Sequence, residues 1–524
     1  MRSIDYFDKS AEAHPDRVAI LDSDGRYSYR EASRATERIA RAMWAAGLRL
    51  EDRAAILSPN DGRVLLCMLG LMRSGAAWVP LNYRDGLEPS AEYLNYVQAS
   101  WIFYHSSFAK RTDELKARVS TLRHFVCIDA EDRGHPSLQR FIEQAGDQPE
   151  IEWGDALGNP DHLVGVVPTG GTTGPAKGVR VTTLAWGTML EMASHYWRCD
   201  DRETVCLSAA PVSHAAGVVA LAAFSLGGTN IVMTGSRFEP VEVLRAIERH
   251  KVTHLYLPPT ALYRLLEVPE VGEFDYSSLR ILLLAGSPVA PEQFKNAVEV
   301  FGPCVCQCYG QTEAPMLLTW LDTRTVAAAA RGVHPERLRS CGKPTSAVRL
   351  AIMNEDGRLL APRETGEIVA RGTLVTPGYY GQQDATAEIR RHGWHHTGDL
   401  GYRDEDGYFY IVDRKKDMII TGGFNVFCGE VEACVMQLPG VAECAVIGVP
   451  DDNWGEAVKA IVVLQDGASL SEEVAIAHCK ARLGGMKAPK SVEFRAEIPK
   501  TGAGKTDRRT LRAPYWTGAD RAVH

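Results

Sequence analysis

The chain has 524 residues, more than one hydrophobic core usually supports, so two or more domains are expected. With 45% hydrophobic and 24% charged residues it has the make-up of an ordinary globular protein rather than a disordered one, and a net charge of −8 argues against a general nucleic-acid binder. Twelve cysteines are too dilute for a disulfide framework, the N-terminus has no basic-then-apolar signal, and the longest apolar stretch, Ala215 to Leu226, is too short for a bilayer; a cytoplasmic protein with no transmembrane segment is expected.

The first 110 residues alternate strands and helices. Arg17 to Leu21 and Tyr27 to Tyr29 flank an Asp-Gly turn, which predicts a hairpin. Ile39, Met43, Trp44 and Leu48 fall at helical spacing, Ala54 to Leu57 reads as a buried strand, and a helix from Val64 to Arg73 leads to the apolar run Ala76 to Leu81. Such alternation predicts an α/β sheet. Residues 110 to 160 are polar and less regular, and carry no identifiable chemistry.

The apolar run Leu163 to Val167 then delivers Pro168-Thr169-Gly170-Gly171-Thr172-Thr173-Gly174-Pro175-Ala176-Lys177-Gly178. Glycines let backbone N–H groups converge on a ligand, threonines add hydroxyl donors and Lys177 adds a cation, which together suit a polyphosphate. Two other phosphate loops are excluded by spacing. The only Gly-Lys-Thr, at 504–506, has Pro499 where a Walker A glycine belongs, and Thr169 takes the first glycine position of a dinucleotide fingerprint.

This stretch resembles the phosphate loop of the adenylate-forming superfamily: acyl-CoA synthetases, adenylation domains of peptide synthetases and firefly-type luciferases. The family pattern is roughly [ST]-[SG]-G-[ST]-[TS]-G-x-P-K-G. Gly170 stands at a common serine position and Ala176 where proline is usual, with Pro175 one step earlier. The resemblance implies a large N-terminal domain of α/β subdomains plus a small β subdomain, residues 1–413, followed by a small mobile α+β domain, residues 414–524. It implies ATP, Mg²⁺ and coenzyme A as reactants and cofactor.

A helix over Leu184 to Tyr196 and a strand around Val205 to Ser208 precede His214. A lone histidine is most often a packing residue, but the family places an aromatic or histidine here, between acyl pocket and acceptor tunnel, so the resemblance makes His214 a candidate gate. Amino-acid-activating members of the family use an aspartate in this window to bind the α-ammonium; residues 206 to 219 contain no Asp or Glu, and an unpaired buried cation is costly, so the resemblance implies an acid without that amine. Leu279 to Leu284 leads to Ala285-Gly286-Ser287-Pro288, and Val305-Cys306 to Gln307-Cys308-Tyr309-Gly310-Gln311-Thr312-Glu313. Cys304, Cys306 and Cys308 alternate along a strand, as core packing does and as metal-binding C-x-x-C does not.

Strand ends are where open α/β sheets bind ligands. By the resemblance, Gly286, Ser287, Tyr309 and Gly310 sandwich adenine, Gln307 bonds its edge, Thr312 reaches the α-phosphate and Glu313 holds Mg²⁺. The acyl pocket is lined by His214 to Val219, Ala285 to Ser287 and Cys308 to Leu317.

From about residue 340, short strands with turns suggest the small β subdomain. Trp394 to Asp399 resembles the family's G-[WF]-x-x-T-G-D and implies a ribose contact for Asp399. The charged run Asp413-Arg414-Lys415-Lys416-Asp417 sits at the family's domain junction; Arg414 would contact ribose and phosphate, and Lys416 would be the hinge. Gly422 and Gly423 match the loop lining the pantetheine tunnel, with Cys428 where proline is usual. Helices over Glu430 to Gln437 and Val474 to Leu483, with strands Ala445 to Val449 and Ala460 to Leu464, make the last unit α+β. Its final loop, Pro499 to Arg509, carries Lys505 between glycines, where the family's lysine bridges carboxylate and α-phosphate during adenylation.

The function implied is ATP-dependent activation of a carboxylic acid as acyl-AMP and transfer to coenzyme A. An amide-forming ligase that hands the acyl group to an amine shares the first half-reaction. A non-catalytic sensor would be expected to lack Lys505 or Glu313, and both are present.

Overall fold

Residues Ala54–Leu57, Ala77–Pro80 and Trp101–Tyr104 are buried at every position, the pattern of parallel strands covered on both faces. The computed structural model describes residues 1–144, 146, 154–169, 176–197, 203–451, 453–500 and 506–516. These three strands form the middle of a six-stranded sheet in the order His124–Cys127, Trp101–Tyr104, Arg53–Leu57, Ala77–Pro80, Leu163–Pro168, Gly178–Thr182. All neighbours are parallel except the last pair, which is an antiparallel hairpin.

A nine-stranded sheet has six parallel strands in the order Val305–Gln311, Ile281–Leu284, His254–Leu257, Val205–Ser208, Thr229–Val232, Val18–Leu21. Antiparallel strands extend both edges: Ala314–Leu321 and Lys343–Pro344 on one side, Arg26–Ser28 on the other. The predicted Asp-Gly hairpin is the second of these edges. Its end also starts the helix Tyr29–Ala45, where Ser28 and Glu31 form a reciprocal capping box. The helices Gly62–Ser74 and Ala215–Ser225 are apolar nearly all round and lie in the core, the first against the six-stranded sheet, the second against the nine-stranded one.

Residues 110 to 160 are more regular than expected. The helices Ala109–Arg118 and Leu138–Gln144 flank the strand His124–Cys127. The first helix buries only Thr112 and Leu115, which leaves too little periodicity to read, and the strand is four residues long.

Contacts divide the chain into two units, one comprising Met1–Thr169, Pro175–Leu350 and Ala370–Arg390, the other including Ala351–Val369 and Arg391 onward. A four-stranded sheet runs Val348–Met353, Gly366–Gly372, His395–Arg403, Phe409–Arg414, in keeping with the small β subdomain. The last sheet orders Phe424–Val426, Ile419–Thr421, Gly455–Leu464, Val441–Asp451, with Ser491–Phe494 parallel to Gly455–Leu464. The helices Cys428–Val435 and Glu472–Lys487 bury one of its faces; Ile498 and Leu511, the latter on the helix Arg508–Arg512, pack on the other. Among the described residues, no helix is long and apolar enough to cross a membrane, and the eleven cysteines form no disulfide.

Candidate active site

The two ends of the glycine-rich stretch lie on the hairpin at the edge of the six-stranded sheet. Pro168 pairs with Gly178, and the Thr169 N–H donates to the Lys177 carbonyl at 2.9 Å. Gly170, Gly171, Thr172, Thr173, Gly174 and Pro175 lie outside the described residues, so the loop is defined by its two ends. Beside it runs a segment that sequence reasoning did not single out. Val179 bridges Tyr379, the Arg180 N–H donates to the Gly378 carbonyl at 2.9 Å and the Tyr380 N–H to that of Gly178 at 2.7 Å. The Lys177 ammonium stands 5.0 Å from the centroid of the Tyr379 ring.

The same tyrosine reaches the second predicted motif. Its hydroxyl donates to Glu313 Oε1 at 2.7 Å, and the Thr376 N–H donates to the Glu313 carbonyl at 2.9 Å. Tyr379 therefore links the lysine expected at phosphate to the carboxylate expected at Mg²⁺. Burial, then the Glu313 charge, holds its phenol well above the ordinary tyrosine range, so it remains a donor. Nothing in periodicity marks Tyr379; Pro377-Gly378 before it reads only as a turn.

Glu313 and Thr312 form the two-residue turn between the strands Val305–Gln311 and Ala314–Leu321, in which Gln311 pairs with Ala314. Gly310 is demanded by contact: a Cβ there would lie 2.4 Å from the Met316 carbonyl carbon. Tyr309 is half-buried beside it, while Gln307 is buried and its Oε1 has no hydrogen-bond partner. An orphaned amide oxygen at a strand end fits an adenine edge, whose amino group could supply the missing donor. Gly286 is exposed and Ser287 half-buried immediately after the neighbouring strand Ile281–Leu284.

His214 precedes the helix Ala215–Ser225, and its Nδ1 lies 2.9 Å from Ser213 Oγ. Water reaches more than a third of its surface, yet the surrounding protein, and secondarily Arg84, pushes its pKa down to about 4. Its loop is pinned by a residue that sequence reasoning missed. The buried Asn60 donates to the Ala210 carbonyl at 3.0 Å and accepts from the Val212 N–H at 2.8 Å.

In the second unit, register brings two predicted residues face to face. Asp399 is buried and pairs across the hairpin with Arg414, whose Nε is 3.5 Å from Asp399 Oδ1. Buried Glu367 accepts from the Gly398 N–H at 3.0 Å and lies 3.0 Å from His396 Nδ1, so it holds the turn that presents Asp399. Lys416 lies in the turn just after; burial, then repulsion from Arg414, lowers its pKa. Gly422 and Gly423 are a two-residue hairpin turn with φ of 56° and 78°, the left-handed geometry that suits glycine at both positions.

Lys505 lies outside the described residues. Its loop is spanned by a bridge between Lys500 and Thr506, and its C-terminal side is anchored by Arg508, 2.6 Å from Glu432 and 3.6 Å from Asp417.

The description "AMP-binding enzyme" matches residues 7–380, and that of the AMP-binding enzyme C-terminal domain matches residues 430–505. The chain belongs to this adenylate-forming superfamily. A medium/long-chain-fatty-acid–CoA ligase of Mycobacterium tuberculosis is 36% identical over 525 residues, covering 97% of this chain and 89% of the relative. A feruloyl-CoA synthase of Amycolatopsis is 36% identical over 501 residues, covering 95% and 96%. Among solved structures, the amide bond synthetase McbA from Marinactinospora thermotolerans superposes with a TM-score of 0.87 at 28% identity, covering 98% of this chain and 100% of that one. The chain is thus an enzyme of the superfamily, with coenzyme A ligases and an amide-forming ligase among the proteins it resembles.

Proposed function

We propose that this enzyme is an AMP-forming acyl-CoA ligase that activates a carboxylic acid lacking an α-amine. The observation that carries the reading is the Lys177–Tyr379–Glu313 chain, which joins a cation to a carboxylate beside the glycine-rich hairpin. The fatty-acid and feruloyl ligases among its relatives favour coenzyme A as acceptor. The amide bond synthetase keeps an amine acceptor as the second reading.

In this assignment the loop from Thr169 to Gly174 wraps the triphosphate and Lys177 neutralises its oxygens. Gln307 meets the adenine edge, and Gly286, Ser287, Tyr309 and Gly310 form the walls about the ring. Thr312 bonds the α-phosphate, and Asp399 accepts from the ribose hydroxyls beside Arg414. Glu313 would hold Mg²⁺, which prefers carboxylate, phosphate and water oxygens and supplies charge neutralisation at the phosphates.

The carboxylate attacks the α-phosphorus in line and pyrophosphate departs, with Lys177 and Lys505 stabilising the charge that develops. The acid's carbonyl is then attacked by the acceptor thiol with AMP as leaving group. The mobile domain begins at residue 414 with Lys416 as its hinge; its rotation exchanges the Lys505 loop for the Gly422–Gly423 turn, and His214 gates the acceptor path. A cytoplasmic location fits these reactants.

Mass spectrometry of products from ATP, Mg²⁺ and a mixed panel of carboxylic acids, offered coenzyme A and amines together, tests the reading. Thioester is expected. Amide without thioester transfers the enzyme to the second reading, and absence of acid-dependent AMP overturns both.

A further inference from the structure

The strand His254–Leu257 lies between Val205–Ser208 and Ile281–Leu284 in the middle of the nine-stranded sheet. In a parallel ladder, residues abreast share a face, so register decides which side chains meet. His254 stands beside Cys206 and Ile281; two residues on, Tyr256 stands beside Leu283 and, continuing the same register, beside Ser208. The helix Ala215–Ser225, which follows His214, packs against the strands on either side of this register.

The polar groups on this face are not treated alike. Both ring nitrogens of His254 are taken, Nδ1 by Thr253 Oγ1 and Nε2 by the Trp197 carbonyl, each at 2.8 Å. Tyr256 is only 7% exposed; its hydroxyl has no hydrogen bond to a described residue and is not among the fully enclosed oxygens. Ser208 is 2% exposed and its Oγ is likewise without a partner. Side chains so far buried are ordinarily satisfied, because a donor withdrawn from water and left unpaired is costly. Register therefore sets the enclosed, unpartnered Ser208 hydroxyl beside the Tyr256 phenol on one face, a polar pair among largely apolar neighbours.

Its position says what could bond to it. The Tyr256 hydroxyl lies 3.7 Å from where the first side-chain carbon of any residue at 286 would stand, so it ends beside Gly286. On the same face, two strands away, Cys308 follows Cys306, the partner of Leu283. The pair therefore lies beside Gly286 and on the face of Cys308, in the stretches that the acyl-activation reading assigns to the acyl pocket as well as to the adenine wall. Burial keeps the phenol un-ionised and pushes the Cys308 thiol up to about 12, so the groups here are neutral and suited to a neutral ligand group.

We propose that Tyr256, with Ser208 beside it, is the specificity-determining residue that reads a neutral oxygen substituent, hydroxyl or keto, on the acyl group of the acid. The preferred substrates are then oxygenated ring or chain acids, not plain hydrocarbon acids. This rests on the acyl-activation reading above and adds the substrate class to it. A pocket that bonds such an oxygen rejects the analogue without it, since the protein hydroxyls are then left unpaired.

The test is acid-dependent ATP–pyrophosphate exchange with matched pairs: 4-hydroxycinnamate and cinnamate, 4-hydroxybenzoate and benzoate, 10-hydroxydecanoate and decanoate, 4-oxodecanoate and decanoate. Wild type is expected to favour the oxygenated member of at least one pair by about tenfold or more in kcat/KM. Tyr256→Phe keeps the ring and deletes the oxygen; it is expected to abolish that preference by lowering the oxygenated member alone, with the plain member within about threefold of wild type. Ser208→Ala is expected to move selectivity the same way by a smaller factor. Exchange that ignores the oxygen in every pair, or a Tyr256→Phe loss shared equally by both members, overturns the assignment and leaves acyl activation standing. No exchange with any acid by folded wild type overturns acyl activation itself, and this assignment with it.

Discussion

Tyr379→Phe isolates one bond of the candidate centre. The substitution removes the hydroxyl that donates to Glu313 Oε1 at 2.7 Å and leaves the ring that Lys177 overhangs at 5.0 Å. A hydrogen bond to a charged group contributes about 1.5–3 kcal/mol, so losing it predicts a fall of roughly 10- to 150-fold in the step that needs Glu313 held in place. Because Lys177 keeps its aromatic neighbour, the KM for ATP is expected to stay within about threefold, whereas Tyr379→Leu, which also removes the cation–π contact of about 0.5–2 kcal/mol, is expected to raise it. The assay is initial-rate ATP–pyrophosphate exchange at varied ATP and Mg²⁺, with thermal melting as the check on folding. The Mg²⁺ concentration for half-maximal rate is expected to rise in Tyr379→Phe, since the carboxylate loses its orienting donor. A variant within twofold of wild type at every Mg²⁺ concentration refutes the link between Tyr379 and the carboxylate proposed to hold Mg²⁺.

Other perturbations test neighbouring parts. Gly310→Ala places a methyl 2.4 Å from the Met316 carbonyl carbon, so a loss of about 1–3 kcal/mol in stability and a displaced Thr312–Glu313 turn are expected, read by thermal melting and exchange rate. His214 has a folded pKa near 4 against an unfolded value of about 6.5; its contribution to stability is present above the latter and lost as pH falls through the former. His214→Ala is accordingly expected to lower acyl transfer without altering the shape of the pH–rate profile above pH ~5.5, and an inflection near 6.5 that vanishes in the variant refutes this. Lys505→Ala is expected to abolish acyl-adenylate formation while a preformed adenylate still reacts with acceptor; equal loss of both halves would sink the domain-rotation assignment.

Local signals carried much of this architecture, and the exceptions share a cause. Leu163 to Val167, the glycine loop and Lys177 are contiguous, so the hairpin they form was legible without the fold. Asp399 and Arg414 were assigned singly; only the register of their two strands reveals them as a cross-strand pair. Tyr379 meets Glu313 across 66 residues and Asn60 holds the His214 loop across about 150, distances at which no periodicity survives. Ser208 and Tyr256 read as ordinary strand residues until the buried Ser208 hydroxyl is found without a partner and strand register sets Tyr256 beside it.

Cys428 has a different lesson, because the sequence locates the departure from proline but not its consequence. It is the first residue of the helix Cys428–Val435, a position where proline is well tolerated, so backbone geometry alone gives no reason to avoid one. What proline would lack is the N–H, and here that N–H donates to the buried carboxylate of Asp413, one residue before Arg414, while the thiol faces the Asp417 carbonyl at 3.1 Å. The departure thus acts on the strand leading into Lys416. Burial raises Asp413 to about 6, despite the N–H donors, against about 3.9 unfolded, so this carboxyl favours the fold most below pH ~4 and progressively less as pH rises through 6. Cys428→Pro takes a donor from a carboxylate that is charged at neutral pH. A loss of about 1–3 kcal/mol is expected at pH 7.5 and a smaller one at pH 4.5, where the group is protonated. Equal losses at the two pH values in thermal melting would show that packing of the thiol, not the N–H, is what the cysteine contributes.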